Sequence, residues 1–310
     1  MSDTLDIQEA ASALSPTHAS ARSARLLAYF ELTKPRIASL SLVATAMGFF
    51  LALPASASLS STLPLLIHTL LATAMVAAGA NAINQFMEAD LDAKMERTRN
   101  RPIPSGRLTP FEVARFGWCL PLVGVVYLAL AVNMLAASIA AFTFCTYAFV
   151  YTPLKRVTSL CVFVGAIPGA LPPVIGWAAA SGSVTIGGWL LFAIVFFWQL
   201  PHFVAIAWLY QDDYRRAGYP MLPVIDQEGT RTNLHMITHT VGLIVVSLLP
   251  AMASIAGPTY AVSAMILGVA FLGVGIVFVV RKTRKIARLH LLASIIYLPC
   301  LLVIMTLDKV

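Results

Sequence analysis

The sequence predicts an all-α polytopic integral membrane protein, with about nine transmembrane helices around a central cavity. Three observations carry that expectation. The 310 residues are 59% hydrophobic and only 11% charged, with a mean hydropathy of +0.82. Apolar runs of roughly 18 to 25 residues recur along the chain, which is the length a helix needs to cross a bilayer. The basic residues are confined to alternate connections between those runs, as the positive-inside rule requires.

Taken in order, residues 1–25 open the chain. They are rich in Ala, Ser and Thr and lack the apolar core of a signal peptide, while Asp3, Asp6 and Glu9 argue against a transit peptide. They are expected to form a flexible cytoplasmic tail, and 26–310 a single transmembrane domain. Spans are expected at about 36–54, 63–87, 110–132, 134–151, 160–180, 184–208, 235–256, 259–281 and 289–306. Of the 21 Lys and Arg residues, all but Lys309 fall on one side of this arrangement. That places the N-terminus in the cytoplasm and, with an odd number of spans, the C-terminus outside, as expected for a cell inner membrane protein. The lipid bilayer is thus the first partner. The net charge of +7 is accounted for by this sidedness and calls for no nucleic acid. Cys119, Cys145, Cys161 and Cys300 lie singly in or beside apolar runs and read as buried small hydrophobes.

Against this greasy background, residues 81–107 stand out: NAINQFMEADLDAKMERTRNRPIPSGR. Asn84, Glu88 and Asp92 recur every four residues, so on a helix continuing from the second span they share one face, with Asn81 and Gln85 beside it. Oxygen donors on one face suit a hard cation such as Mg²⁺, which is held by a few carboxylates together with substrate phosphates. Arg97, Arg99 and Arg101 follow at a distance suited to clamping phosphate oxygens. The plain alternative is a solvated helix end with internal pairs such as Asp90–Lys94 or Glu96–Arg99. The stripe begins inside a membrane span, where acids are costly without a ligand, and this favours a site. After the sixth span, Asp212 and Asp213 are expected to complete a metal site facing the first cluster. Tyr151 and Lys155, at the end of the fourth span, are expected to steady a leaving diphosphate. For Lys155 and Arg156 the alternative is ordinary positive-inside flanking.

The run from Asn84 to Pro102 resembles the first acidic motif of the UbiA-type intramembrane prenyltransferases. Three other segments agree: Thr33-Lys-Pro-Arg36, Tyr151-Thr-Pro-Leu-Lys155-Arg156, and Trp198-Gln-Leu-Pro-His202-Phe through Asp213 to Pro223. The likeness covers roughly residues 26 to 306. It departs from the family pattern at Glu88, where the family has Asp, and at Ala217, where a regular second Asp-x3-Asp would place an acid.

The resemblance implies a prenyltransferase domain over 26–310 with Mg²⁺ as cofactor. Asn84, Glu88, Asp92 and Asp213 would be catalytic, and Asp212 an additional metal ligand. Arg97, Arg101, Tyr151 and Lys155 would bind diphosphate. Within the family the nearest likeness is to members that join the farnesyl group of farnesyl diphosphate to a vinyl group of protohaem IX. That implies contact between the acceptor and His202 and Trp198, since imidazole is a common haem-iron ligand. Aromatic faces at Trp198, Phe203 or Tyr151 would stabilise an allylic cation. The product would pass to haem-modifying or oxidase-assembly proteins. His235 and His239 form an i, i+4 pair without an evident third ligand, and His68 and His290 suggest no role. Two other functions fit the chain less well. One is prenylation of a quinone precursor or another aromatic acceptor. The other is secondary transport, which would place polar groups at mid-membrane rather than at one mouth.

Overall fold

The computed structural model describes residues 18–54 and 56–310. Of the expected tail, residues 1–17 lie outside these, and 18–25 form the first half of helix α1 (His18–Leu32). Nine further helices among the described residues are long and apolar enough to cross a membrane. These are α2 (Pro35–Ala52), α3 (Leu59–Met87), α4 (Pro110–Ala131), α5 (Met134–Leu154), α6 (Cys161–Ser181), α7 (Ile186–Leu209), α8 (Thr230–Met252), α9 (Pro258–Arg281) and α10 (Arg284–Leu307). Each expected span coincides with one of them. The largest shifts are at the starts of α8 and α10, where a polar first turn precedes the apolar run.

Local chemistry explains the ends. Pro110 opens α4 behind a full capping box between Thr109 and Glu112. Asn133 caps α5 by accepting from Ala136 N–H, and its amide donates to the carbonyl of Ala178 at 2.9 Å, tying the turn before α5 to α6. Gly182, at φ 68°, ends α6 in the left-handed conformation that glycine tolerates best. Two spans are irregular where they matter. A π-helical turn, Thr146–Tyr151, interrupts α5, and α6 breaks at Leu171 ahead of Pro172 and Pro173.

Helices adjacent in sequence pack as neighbours, and α10 closes the ring by returning against α2. Helices α6 and α7 are the most buried spans. Helices α2 and α6 approach closely: a methyl group added at Gly48 would collide with the Pro173 carbonyl, and one at Gly176 with that of Thr45. Small residues permit such contact where lipid supplies no hydrophobic drive between helices. At the end opposite the charged loops, Asp308 accepts from Tyr260 N–H at 2.6 Å and Lys309 donates to the Phe50 carbonyl at 3.2 Å. The end of α10 is thereby fastened to α9 and α2. Leu130, Met252 and Val280 are among the large apolar side chains left facing outward, as suits a surface wetted by acyl chains.

Among the described residues the two largest apolar clusters flank a cavity of about 320 Å³. Val76, Phe144 and Ile175 line it from one side and Val195, Trp198 and Leu298 from the other.

Candidate active site

Helix α3 does not run straight through the acidic stripe. It ends at Met87, and Glu88 (φ −103°, ψ 6°) breaks the helix before a short turn, Ala89–Asp92. The spacing survives the break because Glu88 N–H bonds Asn84 O at 3.0 Å and Asp92 N–H bonds Glu88 O at 2.8 Å. Glu88 and Asp92 are 1% and 0% exposed, so both carboxylates are taken out of water, and each has a basic partner. Lys155 Nζ donates to both oxygens of Glu88 at 3.0 Å. Arg101 Nη1 donates to both oxygens of Asp92, at 2.8 and 2.7 Å. Thr98 holds the turn by donating its hydroxyl to Asp92 O at 2.9 Å.

A third cation completes the group. Lys34 sits between α1 and α2 at φ 48°, a left-handed position unusual for a residue with a side chain, and donates to Asn84 Oδ1 at 3.1 Å. Asn81 and Gln85 hold the chain in place there, donating to Thr33 O and Leu32 O at 3.0 Å each. These two amides therefore anchor the end of α1 rather than extend a ligand row. Burial, with the Arg101 guanidinium adding to it, lowers the Lys34 ammonium to about 7. Tyr219 closes the site from the loop after α7. Its ring lies under Lys155 Nζ at 4.7 Å, and its buried hydroxyl has no hydrogen-bond partner of good geometry. Burial first, and then the charges of Glu88 and Asp92, push that hydroxyl above its ordinary range.

Lys34 and Asn81 also line the apolar cavity, with Tyr147 and Tyr151 beside them. The charged cluster thus stands at the head of a greasy chamber. Trp198, Gln199, His202 and Phe203 line the same chamber from α7. Gly165 keeps room for the Tyr151 ring, into which an added methyl would project.

The structure brings Asn84, Glu88, Asp92, Arg101, Lys155 and Tyr151 to this head, and His202 and Trp198 to the chamber wall. It places the second acidic cluster differently from the sequence expectation. Asp213, 7% exposed, accepts from the backbone N–H groups of Glu96 (3.2 Å) and Arg97 (3.4 Å) and pairs with Arg216. It fastens the loop after α7 to the loop between α3 and α4. The side chain of Asp212 is 55% exposed and pairs with Arg215 at 2.9 Å and Arg284 at 3.5 Å, drawn outward by those cations. Among the described residues no three of His, Cys, Asp and Glu lie together as one metal centre. Arg97 is exposed and lies over the Tyr210 ring at 4.8 Å, while Arg99 pairs with Glu96 at 3.1 Å. Asp90 pairs with Arg156 at 2.8 Å, not with Lys94.

Lys34 and Tyr219 were given no role by sequence reasoning, although both lie inside motif segments. The available signal was a lone Lys before Pro35 and a Tyr between Gly218 and Pro220. What brings them to the acids is a left-handed turn and a loop closure, which no spacing reveals.

The oxygen-only donor set of Asn84, Glu88 and Asp92 fits a hard divalent cation. Three cations around two carboxylates leave an excess of positive charge suited to an anion such as diphosphate. Comparison with known proteins adds three findings. Residues 41–296 match the model of the UbiA prenyltransferase family. The chain is 46% identical over 286 residues to a protoheme IX farnesyltransferase from Solibacter usitatus (strain Ellin6076), covering 91% of this chain and 98% of that one. It is 41% identical over 281 residues to the enzyme of that name from Myxococcus xanthus (strain DK1622), covering 90% and 94%. Among solved structures, it resembles a digeranylgeranylglyceryl phosphate synthase (TM-score 0.73, 17% identity, 92% and 98% coverage). It also resembles a UbiA homolog from Archaeoglobus fulgidus bound to GPP and Mg²⁺ (TM-score 0.61, 16% identity, 90% and 99% coverage).

Proposed function

The chain belongs to the UbiA prenyltransferase family, and we propose that it transfers the farnesyl group of farnesyl diphosphate to a vinyl group of protohaem IX, with water adding a hydroxyl, to give haem O. The observation that carries this reading is the charged cluster at the head of the apolar chamber: Glu88–Lys155, Asp92–Arg101 and Asn84–Lys34, opening beside Tyr147 and Tyr151. A diphosphate has its place in the polar head and an isoprenoid tail in the chamber.

The reaction breaks the bond between farnesyl C1 and the diphosphate oxygen. Asn84, Glu88 and Asp92 would hold Mg²⁺, which when bound would neutralise charge on the diphosphate. Lys34, Arg101 and Lys155 stand ready as donors to the leaving oxygens, where charge grows in the transition state. The aromatic faces of Tyr147, Tyr151 and Phe144 line the path of the allylic cation. Farnesyl C1 then bonds the outer vinyl carbon. The cation left beside the porphyrin ring takes water, and a proton departs. His202 and Trp198 line the chamber wall and are assigned to the haem acceptor. Asp213 would support catalysis by fixing the loop that carries Glu96 and Arg97. The haem product would go on to haem-modifying or oxidase-assembly proteins.

The membrane is the cell inner membrane, with the N-terminus in the cytoplasm and the C-terminus outside, on the argument of basic-residue sidedness. Asn100→Cys is expected to be labelled only from the cytoplasmic face, and labelling from outside would reverse this orientation. The function is tested by expressing the chain in a host lacking farnesylated haem and extracting total haem. Mass spectrometry is expected to show protohaem gaining one farnesyl and one hydroxyl with its hydrogen. Unchanged haem alongside a prenylated quinone precursor would overturn the acceptor assignment.

A further inference from the structure

Ser294, on α10, lies outside every motif of the sequence, is wholly buried, and holds both aromatic groups assigned to the acceptor. Its carbonyl accepts from Trp198 Nε1–H at 2.8 Å. Its hydroxyl oxygen lies 2.7 Å from His202 Nδ1 and 2.6 Å from Leu291 O. The Trp198 and His202 rings stack on one another, with centroids 5.0 Å apart and 25° between planes.

The position of one proton decides what this arrangement does. A serine hydroxyl carries a single hydrogen. The Leu291 carbonyl can only accept, so a 2.6 Å contact between these two oxygens requires that hydrogen to lie between them. The Ser294 oxygen then has only lone pairs to offer His202, and the contact at Nδ1 must be an N–H donated by the imidazole. A neutral imidazole with hydrogen on Nδ1 has a lone pair on Nε2. Nε2 makes no hydrogen bond among the described residues, and His202 lines the chamber. An oxygen that accepts from the far ring nitrogen and fixes the tautomer in this way is the usual companion of a metal-ligating histidine.

We propose that Ser294 is a positioning residue that holds His202 in its Nδ1–H tautomer, so that the Nε2 lone pair faces the chamber as the ligand of the acceptor's haem iron. This deepens the reading that His202 meets protohaem, and it rests on that reading. It assigns α10 a part in acceptor binding that is separate from the diphosphate head.

The full-length protein, purified in lipid nanodiscs and titrated with protohaem, tests this by absorption and resonance Raman spectroscopy. The wild type is expected to show an iron–histidine signature that His202→Ala abolishes. Ser294→Ala is expected to weaken haem affinity roughly tenfold or more and to alter that signature, with KM for farnesyl diphosphate unchanged. Because Ser294 is buried, Ser294→Thr and Ser294→Val form a second pair of equal shape that differ only in the hydroxyl. Thr is expected to retain the wild-type spectrum and Val to lose it. If His202→Ala abolishes the signature while Ser294→Ala and Ser294→Val keep it, the role of Ser294 is refuted and the acceptor site stands. If His202→Ala changes nothing in the haem spectrum, the assignment of His202 fails and this inference with it.

Discussion

At the scale of single residues, the site is a set of buried charges whose signs must be kept in balance. Glu88 is 1% exposed and depends on Lys155 for its compensation. Removing one member of a buried pair strands the other, at a cost of about 3–5 kcal/mol. Lys155→Met is therefore expected to destabilise the protein by about that amount in thermal unfolding. The double variant Glu88→Gln with Lys155→Met should recover most of the loss while remaining inactive. A double variant no more stable than the single one would show that the pair does not couple. Lys34 leads to a prediction about pH. Its ammonium, lowered to about 7 by burial and by Arg101, loses its charge as pH rises through that value. Glu88 and Asp92, which oppose that shift, and Lys155, which adds to it, are the other charged groups facing it. KM for farnesyl diphosphate is expected to rise above pH 7, and Lys34→Arg, which stays charged, should flatten that limb. An unchanged profile in Lys34→Arg would remove Lys34 from diphosphate binding. The acids and Lys155 were legible in the sequence because their spacing and their position at a span end are local facts. The role of Lys34 was not, because it arises from a backbone turn between α1 and α2.

At the scale of elements, the nine spans found among the described residues could be read from apolar length alone. That length is imposed by the bilayer and needs no tertiary information. The breaks were harder to read. Glu88 ends α3 within the acidic stripe, and a π turn carries Tyr151 towards Gly165. Such irregularities are settled by packing against neighbours rather than by local propensity. The second acidic cluster shows the same limit. The pair Asp212-Asp213 looks like a ligand set in one dimension, yet one carboxylate turns out to Arg215 and Arg284. The other receives the N–H groups of Glu96 and Arg97. Asp213→Ala is accordingly expected to loosen the loop of residues 93–109, seen as faster limited proteolysis there, with the Mg²⁺ concentration for half-maximal activity unchanged. If proteolysis stays slow while the Mg²⁺ requirement rises, Asp213 belongs to the metal site.

At the scale of the whole molecule, the ring of helices keeps two chemistries apart and lets them meet along one cavity. One end of the molecule gathers charge over Lys34, Glu88, Asp92, Arg101 and Lys155, and the chamber beneath is walled by Phe144, Ile175, Trp198 and Leu298. Close packing of α2 on α6 through Gly48 and Gly176 and the fastening of the α10 end by Asp308 and Lys309 hold that chamber's walls together. In the proposed reaction one site ionises an allylic diphosphate, with Mg²⁺ held by Asn84, Glu88 and Asp92, and delivers its carbon chain to haem. The most direct measurement uses the purified protein in lipid nanodiscs with farnesyl diphosphate and protohaem, and counts released diphosphate and farnesylated haem together. One diphosphate is expected per farnesylated haem, with both products lost on chelating Mg²⁺ and both lost in Asp92→Asn. Haem farnesylation that persists without a divalent cation, or diphosphate released while haem stays unmodified, would show that diphosphate ionisation and haem alkylation do not share a metal-dependent site.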